Sequence, residues 1–434
     1  MKNICSVDDV FGIRRDLPLN YVARPEVDDL FIDHLSKRQN IIIYGGSKQG
    51  KTALRKRCLA ETDHIVVSCQ KKWTLADLHC SILKEAAFSL KRSMEKAGAC
   101  ARPDQCRFFC QGRVLHVAEP SGQRTAEAGE AEILPPIKLD LLDPNDVVRV
   151  LADMQFSSYI VLEDFHYLPE GTQRDFSFSL KTFHENTEIS FIILAAWRDE
   201  NRLSTLNGDL TDRVLPVNTD RWSRESLSAV MGAGASMLGI AFDEEFRRQL
   251  LSACCDSVHL VQEACRRACR AANVHETQDS VTGVGAGLNV SDLVRRIVGE
   301  QAARYNGFVE GFSGASQASE LEMPKWLIYA MLCHGAEQLD RGIRLKKIYG
   351  IIKARHPRRK SLDKSHVTQT LSALPSLQNQ RGIRPFVLDY DASRTSLQVV
   401  DRQFLIWLAG QKVTELCDEL GLPAPLSESE MRAL

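Results

Sequence analysis

The sequence has no excess charge of either sign. Its 55 Lys and Arg stand against 56 Asp and Glu, a formal net charge of −1. Nothing global marks a nucleic-acid binder, so any such role must come from a local patch. No apolar run approaches the length of a membrane span, and no membrane partner is expected. The start, Met1 to Asp9, has no signal-peptide core, which leaves a cytoplasmic protein as the expectation. Disulfides would be unusual there, although the chain has 13 cysteines. None of them forms a C-x₂-C pair. Cys100, Cys106, Cys110 and His116 lack standard zinc spacing and read as scattered thiols rather than a metal site. Cys265 and Cys269, at i, i+4 spacing, read as small buried apolar residues. No nuclease, protease or deaminase constellation is visible. What remains is a composition of 44% apolar and 26% charged residues, that of a globular protein. Its 434 residues suffice for two or three domains.

One stretch carries specific chemistry. Gly45, Gly46, Ser47, Lys48, Gln49, Gly50, Lys51 and Thr52 fit G-x-x-x-x-G-K-[ST] at every fixed position. Ile41 to Tyr44 before it reads as a buried strand, and Ala53 to Ala60 after it as a helix. In that context the glycines let backbone N–H groups curl around a phosphate, and the helix N-terminus adds its positive dipole end. Lys51 would reach the β- and γ-phosphates, and the Thr52 hydroxyl would ligate Mg²⁺.

Strands and helices alternate through the first half, the pattern of a mostly parallel sheet. Further strands are expected at His64 to Cys69, Ser158 to Leu162, Ser190 to Ala196 and Val214 to Val217. Helices are expected over Thr74 to Met94, from Asp143-Pro144 to about Met154, and over Phe176 to Glu185. Residues 97–136 lose periodicity and read as an insertion, with one strand-like piece at Arg113 to Val117. From Trp222 onward the strands vanish. Helices are expected over Ser223 to Leu238, Asp243 to Ala253, Val258 to Ala272 and Ser291 to Tyr305, with a linker at Gly307 to Ser319. Three helices follow (Lys325 to Cys333, Leu345 to Arg355, Lys364 to Ala373). Strands at Phe386 to Tyr390 and Ser396 to Val400 then complete the order of a winged helix-turn-helix. Phe404 to Leu408 closes it, and the tail after Gly421 reads as loose. The expected division is 1–220, an α/β core; 221–306, a helical lid; 320–410, a winged helix; and 411–434, a tail.

The strand ending at Leu162 runs into Glu163 and Asp164. An acid at such a strand end can hold Mg²⁺ directly or through its water, and a second can activate an attacking water. By position Glu163 is the metal partner and Asp164 the water activator; the shorter Asp predicts slow turnover. Arg198, after the next strand, is the candidate γ-phosphate sensor. Arg213 suits either an arginine finger facing a neighbouring subunit or a surface ion pair with Asp209 or Asp212.

Together these motifs resemble the AAA+ and STAND branch of P-loop ATPases, near origin-recognition-type initiators and bacterial defence ATPases. The resemblance rests on Tyr21-Val22-Ala23-Arg24-Pro25, Gly45 to Thr52, Ile160 to Asp164, Asn207 to Arg213, the helical region and the C-terminal winged helix, over about nine-tenths of the chain. It implies a P-loop ATPase core binding ATP and Mg²⁺, with Tyr21, Val22 and Arg24 against the adenine. It also implies a lid that moves with nucleotide state, and a homo-oligomer. Arg266 and Arg267 lie where such lids present a sensing arginine, without the Gly-x-Arg turn. The Glu-Asp order reverses the commoner Asp-Glu.

Between Arg344 and Lys360 lie eight basic residues and no acid. Neighbouring basic groups of a winged helix clamp phosphates while its third helix, here with Ser365, His366, Thr368 and Gln369, reads the major groove. Arg381, Arg384 and Arg394 would belong to the wing. DNA is the expected partner; the alternative is a nucleotide-regulated scaffold that recruits an effector protein.

Overall fold

The computed structural model describes residues 4–12, 16–60, 62–96, 107–110, 113–116, 139–220, 222–314 and 321–432. Five strands form a parallel sheet: β1 (Asn40–Tyr44), β2 (His64–Ser68), β3 (Tyr159–Glu163), β4 (Phe191–Ala195) and β5 (Val214–Asn218), in the order β2-β3-β4-β1-β5. Ile41 pairs with Ile192 on one side and Leu215 on the other, so β1 is central. It is buried along its whole length, as helices on both faces require. Its side chains alternate: Ile41 and Ile43 pack with Val27, Phe31 and Leu54, while Ile42 joins Leu78, Leu151, Phe176 and Phe183 on the other face. The result is a three-layer α/β core.

Local chemistry explains several boundaries. The Pro144–Asp153 helix starts where Asp143 accepts from the Asn145 N–H at 2.9 Å, with Pro144 in the first turn. Thr74 and Asp77 cap the Leu75–Lys96 helix reciprocally, at 2.9 and 3.3 Å. The Glu170–Asn186 helix begins six residues before the expected Phe176. Its first turn, Glu170-Gly171-Thr172, includes a glycine, yet Thr172 and Gln173 are buried there.

The second half is built on one continuous core that runs from Trp222 to Leu426 and includes Val7, Val10 and Phe11 of the chain's start. Three expectations for it are corrected. Strands do not vanish: Ile240–Phe242 pairs in parallel with Thr282–Val284. The expected fourth helix is two, Val290–Gly299 and Ala302–Gly314, and the second runs through the start of the expected linker. Tyr305, Phe308, Val309 and Phe312 recur at helical spacing and are buried, and this outweighs the glycines between them. Phe308 meets Phe404 edge-on at 5.5 Å. Nor is the tail loose: Leu422 and Leu426 are buried, Tyr329 Oη donates to the Ala424 carbonyl at 3.0 Å, and Glu428–Arg432 is helical.

The C-terminal unit follows the order helix (Met323–Arg341), strand (Ile343–Arg344), helices (Leu345–Arg355, Lys364–Ser372, Leu374–Gln380) and strands (Leu388–Asp391, Ser396–Val399). The three strands form an antiparallel sheet with Ser396–Val399 in the middle. Most of the 97–136 stretch, with Cys100 and Cys106, lies outside the described residues; Arg107–Cys110 and Arg113–His116 form a hairpin. Among the described residues no helix is long and apolar enough to cross a membrane, and no His, Cys, Asp and Glu group suits a metal by itself.

Candidate functional site

The site lies at the carboxyl edge of the sheet, where parallel α/β folds bind ligands. The loop from Gly45 to Gly50 joins β1 to the Lys51–Cys58 helix. Gly45 has φ +143° and Gly50 φ +87°. A Cβ on Gly45 would lie 2.5 Å from Thr219 Oγ1, and one on Gly46 2.7 Å from the Val400 carbonyl, so no side chain fits at either. The first amides of the helix have no partner within it and face the loop. Lys51 curls back over this cradle: its Nζ donates to the carbonyls of Gly45 at 3.0 Å and Gly46 at 2.6 Å. Burial lowers its pKa to about 8, against the pull of Asp220 and Asp164.

A cavity of 430 Å³ opens beside the loop. Ser47 to Ala53, Asp164, His166, Tyr21, Val22, Arg24 and Trp222 are on its wall. The volume falls in the range of small-ligand sites, and the glycine cradle with its ammonium group suits a polyphosphate.

The chain overlays the Walker-type ATPase of Pyrococcus abyssi with a TM-score of 0.55 at 12% identity, covering 92% of this chain and 99% of that one. The fold is that of a Walker-type P-loop ATPase. Looser overlays are with Cdc6p of Pyrobaculum aerophilum (TM-score 0.39, 13% identity, 95% and 98% covered) and with Orc1 of Aeropyrum pernix in complex with DNA (0.36, 11%, 96% and 98%). No protein-family model matches, and no curated protein matches in sequence.

Within this fold the two strand-end acids part company. Glu163 Oε1 accepts from Arg55 Nε at 3.0 Å, tied to the helix after the phosphate loop, and is not on the cavity wall. Asp164, at φ +58°, is on that wall. Its surface is open to the cavity, yet the surrounding walls and Glu163 raise its pKa, with Lys51 opposing. The Thr52 hydroxyl side of the loop is exposed. Thr52 and Asp164 are among the oxygen-bearing side chains that share the cavity with Lys51, and a hydroxyl and a carboxylate suit a hard cation such as Mg²⁺.

The residues expected on the base side line the same cavity, and two of them are engaged. Tyr21 Oη donates to Asp28 Oδ1 at 2.5 Å. Arg24, 2% exposed, donates to the Thr219 carbonyl at 3.0 Å, and its guanidinium lies 3.9 Å from the Trp222 ring centroid. Burial lowers its pKa. Val22 is on the cavity wall.

The candidate sensors are elsewhere. Arg198 donates to the Val399 carbonyl at 2.9 Å and lies 3.6 Å from Asp220. Arg213 pairs with Glu185 at 2.8 Å rather than with Asp209 or Asp212, and is not on the cavity wall. Arg266 and Arg267 both bond to Glu263, with further pairs to Asp8 and Glu300.

Sequence reasoning missed four neighbours of the loop. Asp220 Oδ1 accepts from the Gly46 N–H at 2.6 Å. Trp222 Nε1 donates to the Gln49 carbonyl at 3.3 Å. The Val400 carbonyl, from the C-terminal unit, accepts from the Ser47 N–H at 3.2 Å. His166 is buried on the cavity wall, and its Nδ1 accepts from the Ala196 N–H at 3.2 Å. That bond puts the ring proton on Nε2, which has no hydrogen-bond partner. Burial holds the ring neutral, its pKa well below the usual range. Only position two after Asp164 could have flagged His166; the other three depend on contacts more than 170 residues apart.

Proposed function

We propose that this chain is an ATP-binding and ATP-hydrolysing switch. One observation carries the reading: a glycine cradle closed by Lys51, beside a cavity that also receives Asp164. Lys51 leaves the loop carbonyls to neutralise the β- and γ-phosphates, and the amides of Lys48 to Thr52 take phosphate oxygens. Bound Mg²⁺ would supply charge neutralisation between the phosphates; Thr52 and Asp164 would hold it directly or through water, with Glu163 behind them as the partner of Arg55. Asp164, its basicity raised by its surroundings, is also placed to orient the attacking water. Tyr21, Val22 and Arg24 form the base side. Arg213 becomes an arginine finger in an oligomer only by leaving Glu185.

The C-terminal unit has the element order of a winged helix, and we assign DNA to it. All eight basic residues from Arg344 to Lys360 are exposed on it. The seat of this unit on the phosphate loop, through Val400, links nucleotide state to its placement.

Calorimetry with magnesium nucleotides tests the central reading. Wild-type protein should bind ATP and ADP, and Lys51→Ala should lose that heat while keeping or raising its thermal midpoint. Equal ATP affinity in the two proteins would refute the assignment.

A further inference from the structure

Among the buried polar side chains on the cavity wall that the proposed scheme leaves unused, Asn20 has both polar atoms of its carboxamide, Nδ2 and Oδ1, without a hydrogen-bond partner. It has no exposed surface. A carboxamide brings two donors and two acceptor lone pairs, and leaving all of them unmade costs stability. Such a group in a native interior calls for an explanation, and a ligand that completes its bonds is one.

Its surroundings say which part of a ligand. Phe11, Pro18, Val22, Val230 and Val258 share the same cavity wall and offer only apolar surface from their side chains. They suit the faces of a flat ring. Two other polar groups on that wall are committed: the Tyr21 hydroxyl to Asp28, and the His259 ring to Gln403 at 2.8 Å. Lys51, Thr52 and Asp164 serve the charged end. Asn20 stands in the chain between Pro18 and Val22, two of these apolar wall residues, and is a polar group of the kind that fixes a ligand's orientation and specificity.

We propose that the Asn20 carboxamide reads the base, pairing with the adenine edge that carries the N6 amino group and N7. Oδ1 accepts from N6–H, and Nδ2 donates to N7, the two-bond match of an asparagine to adenine. Guanine presents two acceptors, O6 and N7, on that edge, so Oδ1 would face an acceptor. Asn20 is thus the specificity-determining residue for adenine over guanine. This assignment rests on the nucleotide reading above.

Calorimetry on the full chain with Mg²⁺ separates the two. Wild-type protein should bind ATP about ten to a hundred times more tightly than GTP, the discrimination one two-bond pair provides. It should bind 7-deaza-ATP, which lacks N7, about tenfold more weakly than ATP. Asn20→Leu replaces the carboxamide by an apolar group of similar size. It should keep or raise the thermal midpoint while ATP falls to the affinity of GTP. If Asn20→Leu folds and keeps the wild-type ATP-to-GTP ratio, the proposal is overturned. Equal binding of ATP and 7-deaza-ATP by wild-type protein overturns it without any variant. No heat with any nucleotide overturns the nucleotide reading and this one with it. Tight binding of ATP and GTP alike, lost in Lys51→Ala, leaves the first standing and removes the second.

Discussion

At the residue scale Lys51 sets how the site responds to pH and to nucleotide. In the unfolded chain its amine titrates near pH 10.5; in the folded protein burial brings it to about 8. Between those values the unfolded chain holds a proton that the folded protein lacks, so stability rises as pH goes from 8 to 10.5. Below pH 8 the full cost of the confined charge is present. Lys51→Met should therefore be more stable than wild type at pH 7, by about 1–2 kcal/mol once solvent screening of this half-buried group is allowed for. Urea denaturation at pH 7 and pH 10 checks this, and the advantage should shrink at the higher pH. A triphosphate returns the amine to its charged form. Binding of MgATP at pH 8 should then take up about half a proton, and at pH 7 about a tenth. Enthalpies compared in buffers of different ionisation heat measure that uptake; a value independent of pH would contradict the burial of Lys51. The lysine was legible because loop, strand and helix pattern agree around it. The separation of Glu163 from Asp164 was not, since it depends on Arg55 reaching across from the neighbouring helix. A Glu-Asp pair in a row does not reveal which carboxylate an arginine will claim.

At the scale of elements, capped helices and buried five-residue strands were readable, because each carries its own signal. Asp143-Pro144 announces a helix start, and β1 is apolar throughout. The Ile240–Phe242 and Thr282–Val284 pair carries no such signal: three-residue strands about forty residues apart have no periodicity to detect. The Ala302–Gly314 helix was masked by its glycines, and its apolar stripe acquires meaning only against Phe404 and Trp407. That contact has a polar clasp. Asp401 caps the Arg402–Ala409 helix, accepting from the Gln403 N–H at 3.1 Å. It is 5% exposed, bonds to Arg304, and accepts from Tyr305 Oη at 3.1 Å. Asp401→Ala removes a cap and strands a mostly covered guanidinium, which should cost about 3–5 kcal/mol. Glu430→Ala, which breaks an exposed pair with Arg355 at 2.8 Å, should cost far less. Thermal unfolding of the two variants side by side measures the contrast, and equal losses would mean that the clasp does not hold these elements together.

At the scale of the whole molecule, the seat of the C-terminal unit on the α/β core was invisible in sequence. It is made of pairs far apart along the chain: Ser47 with Val400, Arg198 with Val399, Arg202 with Asp389 at 2.5 Å. The unit's basic run was plain to read, and its exposure is retained in the folded chain. These two facts together give a prediction that neither gives alone. The basic face is the proposed DNA surface, so the triple variant Arg358→Ala, Arg359→Ala, Lys360→Ala should bind duplex DNA more weakly. The slope of log K against log salt should flatten by up to about 2–3, near 0.9 for each phosphate contact removed. Because the same unit bonds to the phosphate loop, MgATP should change the affinity for duplex. Linkage then requires duplex to change the affinity for MgATP by the same factor. Fluorescence anisotropy of a labelled duplex with and without MgATP gives the first factor, and calorimetry of MgATP with and without duplex gives the second. A factor of one in both, with ATP binding intact and the triple variant fully functional, would leave the basic face as a solvated surface. The scaffold reading would then be favoured, since the only partner left for a nucleotide-dependent C-terminal unit would be another protein.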